Sequence, residues 1–131
     1  MDTNVVVSGL LTSRSDAPTA WILDGMLQGR FPFLLSMEFL AEYRAVILRP
    51  RIRQRHGLTE REIDLLLTEL AANARFREPP TAGCRGDDHL WALLAEVRGS
   101  VLVTGDRPLA ADSRGRGRVV SPREFVTLME G

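Results

Sequence analysis

The chain contains no lysine: all 17 of its basic residues are arginine. That absence removes whole mechanisms, because a phosphate-cradling P-loop, a Schiff base and a lysine general base each need the ammonium group. Cysteine occurs once, at Cys84, so an internal disulfide and a paired-cysteine site are both excluded. Aromatic residues make up 6% of the chain, too few for base stacking to be the main device for holding a ligand. Neither sign of charge is in excess, since 17 acidic residues balance the 17 basic ones. This argues against a broad electrostatic grip on nucleic acid but leaves room for a small local one. No apolar run approaches the roughly 20 residues of a membrane span. The opening Met1-Asp2-Thr3-Asn4 has no basic, signal-like region. The expected setting is cytoplasmic, with no membrane partner.

What is there fits one domain over residues 1–131, with 44% hydrophobic and 26% charged residues. Val5 to Leu11 is apolar, broken by Ser8 and Gly9, and Val5-Val6-Val7 has strong strand preference. A turn over Ser13–Pro18 leads into a helix to about Gln28, closed by Gly29, with Trp21, Ile22, Met26 and Leu27 as its buried stripe. Phe31–Leu35 has strand length. Ser36 is placed to cap a helix through Leu48, stopped before Pro50. Arg49–Arg55 is a basic stretch ended by Gly57, and His56 beside it shows no partner in the sequence. Thr59-Glu60-Arg61-Glu62 fits a capping box for a helix to about Ala74, broken by Glu78-Pro79-Pro80-Thr81. A helix over Asp88–Arg98 closes at Gly99 and precedes a strand over Val101–Thr104. A sharp turn at Gly105–Pro108, a polar loop over Asp112–Arg118 and a minimal strand at Val119–Val120 follow. Ser121-Pro122-Arg123-Glu124 is a second capping box, opening the last helix. Strands alternating with helices imply an α/β fold with a mostly parallel sheet.

Ligands of open α/β sheets bind beyond the carboxyl ends of the strands. Four acids fall near such ends or at the starts of neighbouring helices: Asp2, Glu42, Asp88 and Asp106. Each also has an ordinary explanation. Asp88 can serve as a helix cap, Asp106 as turn chemistry and Glu42 as a solvated helical residue.

The neighbours of these acids resemble the PIN-domain nucleases. Asp2-Thr3-Asn4-Val5 is similar to the family's opening motif. Glu42, six residues after Ser36, resembles the second motif. Asp88 with Ala92 and Ala95 resembles the third, and Val103-Thr104-Gly105-Asp106-Arg107 the fourth. Val120-Ser121-Pro122-Arg123-Glu124-Phe125 is similar to the closing strand and helix of the toxin-type branch. The resemblance implies a three-layer α/β/α sandwich with a mostly parallel central sheet. Only Met1 precedes Asp2, so the first strand is expected to be truncated and Asp2 poorly anchored. Pro108 stands where the family often carries a further acid, for which Asp112 is a loose substitute.

The implied activity is metal-dependent endoribonuclease cleavage, leaving a 5′-phosphate and a 3′-hydroxyl. The role is that of the toxin in a prokaryotic toxin–antitoxin pair. An inactive PIN-like scaffold or RNA-binding regulatory module is the alternative. Clustered carboxylates need a cation, and an oxygen-only donor set suits one or two Mg²⁺ or Mn²⁺ ions rather than Zn²⁺. Asp2, Asp88 and Asp106 are assigned as ligands, Glu42 as a ligand or an orienter of water, and Asn4 and Thr104 as donors holding the carboxylates. Asp87 reads as a cap. His89 reads as a surface residue, Cys84 as an inert thiol, and Trp21 and Trp91 as core. Arg49, Arg51, Arg53, Arg55 and Arg107 are the candidate RNA contacts, with a solvated helical face as the bland reading. Expected partners are RNA, a cognate antitoxin and a second copy of the chain.

Overall fold

The computed structural model describes residues 1–78, 88–111 and 118–130, with the backbone alone for Asp88 and His89. In chain order the elements are α1 (Thr3–Leu11), α2 (Pro18–Gln28), β1 (Leu34–Leu35), α3 (Met37–Ile47), α4 (Pro50–His56), α5 (Glu60–Asn73), β2 (Arg75–Phe76), α6 (Asp88–Glu96), β3 (Leu102–Val103), α7 (Arg107–Ala111), β4 (Val119–Val120) and α8 (Pro122–Glu130). Among the described residues the strands form two parallel pairs, β1 with β2 and β3 with β4. The chain is therefore a helix-rich α/β fold with short parallel strands.

The valine run is the main departure from expectation. Val5-Val6-Val7 lies inside α1, not in a strand. The polar Asn4 and Ser8 are exposed and recur at helical spacing, while Thr3, Val5, Val6 and Val7 are buried. β-branched residues disfavour a helix by only a few tenths of a kcal/mol each, and burial of the valine side chains outweighs that. Gly9 permits close packing of α1 on α2, since a Cβ there would stand 2.5 Å from the Thr19 carbonyl oxygen.

Capping chemistry sets most other helix starts. The Ser36 hydroxyl accepts from Phe39 N–H at 3.1 Å. Thr59 and Glu62 form a reciprocal capping box, and Ser121 and Glu124 make the same exchange. Gly29 and Gly57 end α2 and α4 at positive φ. Pro50 does more than stop α3. It opens α4, so the Arg49–Arg55 stretch is helical, because proline is favoured at the first helical position. Likewise Arg107 starts the short α7 where a plain turn is expected. α5 gives way to β2 at Arg75, before the predicted break, because Phe33 and Leu35 carbonyls accept from Arg75 and Arg77 N–H.

The core gathers Val5, Val6, Ile22, Met26, Leu35, Tyr43, Ile47, Ile63 and Leu70, together with Val103 and Leu90. In α2, Ile22, Leu23 and Met26 are buried, whereas Trp21 and Leu27 are half-buried. Phe31 binds the α2 and α8 sides together, stacking on Trp21 and meeting Phe125 edge-on at 5.0 Å. Arg118 closes the C-terminal end of α6. Its guanidinium donates to the carbonyls of Leu94, Val97 and Ser100, where the helix dipole favours a cation. His56 has two partners: Nδ1 accepts from Leu58 N–H at 2.9 Å, which makes Nε2 the donor to the Ile47 carbonyl at 3.0 Å. Arg44 is committed within the fold, bridging α3 to Glu60 and Asp64 of α5. Cys84, Asp87 and Asp112 lie outside the described residues.

Candidate active site

Asp2 is the N-cap of α1, in extended conformation, and is only 7% exposed. Contrary to expectation it is firmly anchored. Its N–H donates to the Val103 carbonyl at 2.9 Å, and its Oδ2 accepts from the Thr104 hydroxyl at 2.7 Å. Position 104 is held in turn by β4, since Thr104 N–H donates to the Val120 carbonyl at 3.0 Å.

Thr104 also reaches Asp106. Its Oγ1 accepts from Asp106 N–H at 3.0 Å while donating to Asp2. One buried hydroxyl therefore bonds both the Asp2 carboxylate and the Asp106 backbone N–H. The Asp106 Oδ1 accepts from Leu109 N–H at 3.3 Å, at the start of α7. That is the turn chemistry read from the sequence, and it fixes the carboxylate's orientation.

Glu42 comes from the second turn of α3. The buried stripe of that helix is Phe39, Tyr43 and Ile47, at spacing four. Glu42 sits at the margin of this stripe, half-buried, and its Oε2 accepts a hydrogen bond from the Thr3 hydroxyl. The next residue, Tyr43, is fully buried and donates to the Met1 carbonyl at 2.6 Å. Thr3 thus ties the start of α1 to Glu42, and Thr104 ties Asp2 to the backbone of Asp106. Asp88 opens α6, and its side chain lies outside the described atoms.

Burial raises the Asp2 carboxyl above its ordinary pKa, and the nearby charge of Glu42 pushes the same way. Hydrogen bonds from Thr104 and Thr3 oppose the rise. Burial also raises the Tyr43 hydroxyl, with Asp2 and Glu42 adding to it. A divalent cation is the kind of group this arrangement suits, since it would neutralise a buried carboxylate and its acidic neighbour together. Among the described residues no three His, Cys, Asp or Glu side chains converge tightly enough to hold a metal by themselves. The donor set is nonetheless all oxygen and fits Mg²⁺ or Mn²⁺ chemistry.

Asn4 makes no hydrogen bond to a carboxylate among the described residues. It is exposed and lines a hollow of about 370 Å³ with Ser8, Thr12 and Arg55. Thr3, to which the sequence motifs assign no role, donates to the Glu42 carboxylate. Helical spacing could have found it, because Thr3 shares a face with Val6, Val7 and Leu10. Arg49, Arg51, Arg53 and Arg55 are exposed on or beside α4, and Arg107 is exposed next to Asp106.

A family model described as PIN domain matches residues 1–108. The match contains all four acids and ends before β4 and α8. No curated protein and no solved structure matches the chain. Among the described residues no helix is long and apolar enough to cross a membrane.

Proposed function

Because the chain belongs to the PIN-domain family, whose members are generally metal-dependent nucleases, we propose that it is a metal-dependent endoribonuclease and the toxin half of a prokaryotic toxin–antitoxin pair. The observation that carries the catalytic reading is the Thr104 hydroxyl, which donates to Asp2 across 102 residues of sequence and accepts from the Asp106 backbone N–H. It ties the buried Asp2 carboxylate to the turn that carries Asp106.

Asp2, Glu42, Asp88 and Asp106 would hold one or two Mg²⁺ or Mn²⁺ ions. When bound, the ion supplies a Lewis acid that neutralises phosphate charge and makes water a better nucleophile. The chain's own residues do the rest. Thr104 orients Asp2 and Thr3 orients Glu42, so the carboxylates do not reorganise as substrate arrives. Glu42, at the margin of the cluster, is the group placed to align a water. Arg55 of α4 lines a hollow with Asn4, two residues from Asp2 in sequence. That position supports the reading of the exposed α4 arginines as contacts for an RNA backbone.

The toxin role, the antitoxin and the homodimer rest on the resemblance of Val120–Phe125 to the closing elements of the toxin-type branch. The three-layer sandwich and the extent of one domain over residues 1–131 belong to the same proposal, as does a cytoplasmic setting.

The decisive experiment is cleavage of a fluorescent RNA with Mg²⁺, with Mn²⁺ and with EDTA, repeated for Asp106→Asn. Cleavage that needs the ion and is lost in the variant supports the reading. Cleavage in EDTA refutes the metal mechanism. RNA binding without cleavage under every ion condition would favour the inactive, RNA-binding alternative.

A further inference from the structure

Two consecutive residues of α3 bond to the chain on either side of Asp2. The Tyr43 hydroxyl donates to the Met1 carbonyl, just before Asp2, at 2.6 Å. Glu42 accepts from the Thr3 hydroxyl, just after it. Packing does not require the first of these bonds. Phe39, Tyr43 and Ile47 form the buried stripe of α3, and the Tyr43 ring meets Phe39 edge-on at 5.7 Å. A phenylalanine ring would make the same contact. Tyr43 is fully buried, and a hydroxyl at that depth is costly unless it is given a partner. The hydroxyl also lies within electrostatic reach of both acids. Burial raises it above its ordinary pKa, and the charges of Asp2 and Glu42 add to the rise.

We propose that Tyr43 is a positioning residue: through the Met1 carbonyl it holds the main chain at Asp2 in register with Glu42, before any cation or substrate arrives. The two carboxylates otherwise belong to different parts of the fold. Asp2 is tied to β3 by its N–H, bonded to the Val103 carbonyl, and by its Oδ2, bonded to the Thr104 hydroxyl. Glu42 rides on α3. A single side-chain bond, from Thr3 to Glu42, leaves a pivot between the two. A second bond from the next residue of α3, made on the far side of Asp2, removes that pivot. The two acids are close enough to matter to each other, since the charge of Glu42 contributes to the raised pKa of Asp2. Their relative placement is therefore a property that the hydroxyl of Tyr43 can set and its ring cannot. The holding of Asp2 stands on these bonds alone, whereas its consequence for metal and RNA rests on the nuclease reading above.

The test uses the full chain and two variants. Tyr43→Phe removes only the hydroxyl. Ile63→Val, a change on the buried face of α5, is the control for a general loss of stability. Both should fold and melt lower by about 3–5 °C. In metal-free protein the Val5 N–H, which donates to the Asp2 carbonyl at 3.0 Å, should exchange about tenfold faster in Tyr43→Phe than in Ile63→Val. Mn²⁺ affinity, titrated by electron paramagnetic resonance, should fall about tenfold in Tyr43→Phe alone. Its kcat on RNA should fall by a similar factor, with KM held within about twofold. Equal exchange at Val5 in the two variants overturns the proposal and leaves Tyr43 a packing residue. Faster exchange with Mn²⁺ affinity equal to that of the native chain overturns it as well. Faster exchange in Tyr43→Phe, with no Mn²⁺ bound even by the native chain, supports the holding of Asp2 and refutes the metal-dependent nuclease reading instead.

Discussion

Asp2→Asn should make the metal-free protein more stable while abolishing its activity. The substitution keeps a carbonyl oxygen to accept from Thr104 and removes the charge. In the native chain that charge is buried beside Glu42, and its pKa is raised from the ordinary 3.8. The sign follows from linkage. Between 3.8 and the raised folded-state value, the folded chain binds more protons than the unfolded chain, so stability falls as pH rises through this window. Above it the penalty is fully present. Asn should therefore raise stability at pH 7.5 by about 1 kcal/mol, within the range of charge-relieving single changes, or about 3–5 °C in Tm for a domain of this size. The advantage should shrink as pH falls toward 4 and vanish below it, where Asp2 is protonated in both the folded and the unfolded chain. Mg²⁺ adds a second readout. For a site of millimolar affinity, ~10 mM Mg²⁺ stabilises the native chain by ~1.4 kcal/mol and should do little for the variant. Scanning calorimetry of both proteins in EDTA and in Mg²⁺, at pH 4 and 7.5, gives every comparison needed. A variant less stable than the native chain in EDTA at pH 7.5 would refute the electrostatic argument. Equal Mg²⁺ shifts in the two proteins would refute the assignment of Asp2 to the metal.

Thr104→Val removes the hydroxyl that bridges Asp106 and Asp2, and should lower kcat by about 10–100-fold with KM little changed, Ser at the same position restoring most of it; a change in KM alone would contradict a positioning role. Gly9→Ala forces a Cβ to within 2.5 Å of the Thr19 carbonyl and should cost about 1–3 kcal/mol in urea unfolding; an unchanged midpoint would mean α1 and α2 can separate freely. Replacing Arg51, Arg53 and Arg55 with Gln should flatten the salt dependence of RNA binding by about one unit of log–log slope for each phosphate no longer neutralised. A slope identical to that of the native chain would leave α4 as a solvated face.

Local chemistry is the part of this fold that can be read from residues alone. Ser36, Thr59 and Ser121 each announce a helix start through a hydroxyl and a nearby amide, and the structure uses all three. Gly29, Gly57 and Gly99 mark ends in the same way, each at positive φ. The strands resist reading because each is two residues long and exists only through a partner far away, as Leu34 does through Arg75. The valine run misleads because strand preference describes a half-buried pleated surface, while here the same residues pack around a helix whose start is set by Asp2. Pro50 misleads because a residue that ends one helix can begin the next. In the site, the four acids are legible as positions, but the hydroxyls only in part. Thr104 is identifiable as a donor, whereas Thr3 is hidden behind Asn4 until the helical phase of α1 is known. Asp88 opens α6 as the spacing suggests, with its side chain outside the described atoms.

The bond between Asp2 and Thr104 also sets a clock on synthesis. Its two ends are separated by 102 residues, which a ribosome adding about 5–20 residues per second joins in roughly 5–20 s. Throughout that interval Asp2 is already made and has neither the Val103 carbonyl nor the Thr104 hydroxyl to hold it. Glu42 arrives midway and meets Thr3 first, so the half of the cluster built within the first third of the chain precedes the half that depends on β3. A stalled or prematurely released product ending before Thr104 lacks the bonds that Thr104 makes to Asp2 and Asp106. For a protein whose proposed substrate is RNA, this order delays the holding of Asp2 and Asp106 until β3 and Thr104 have been made.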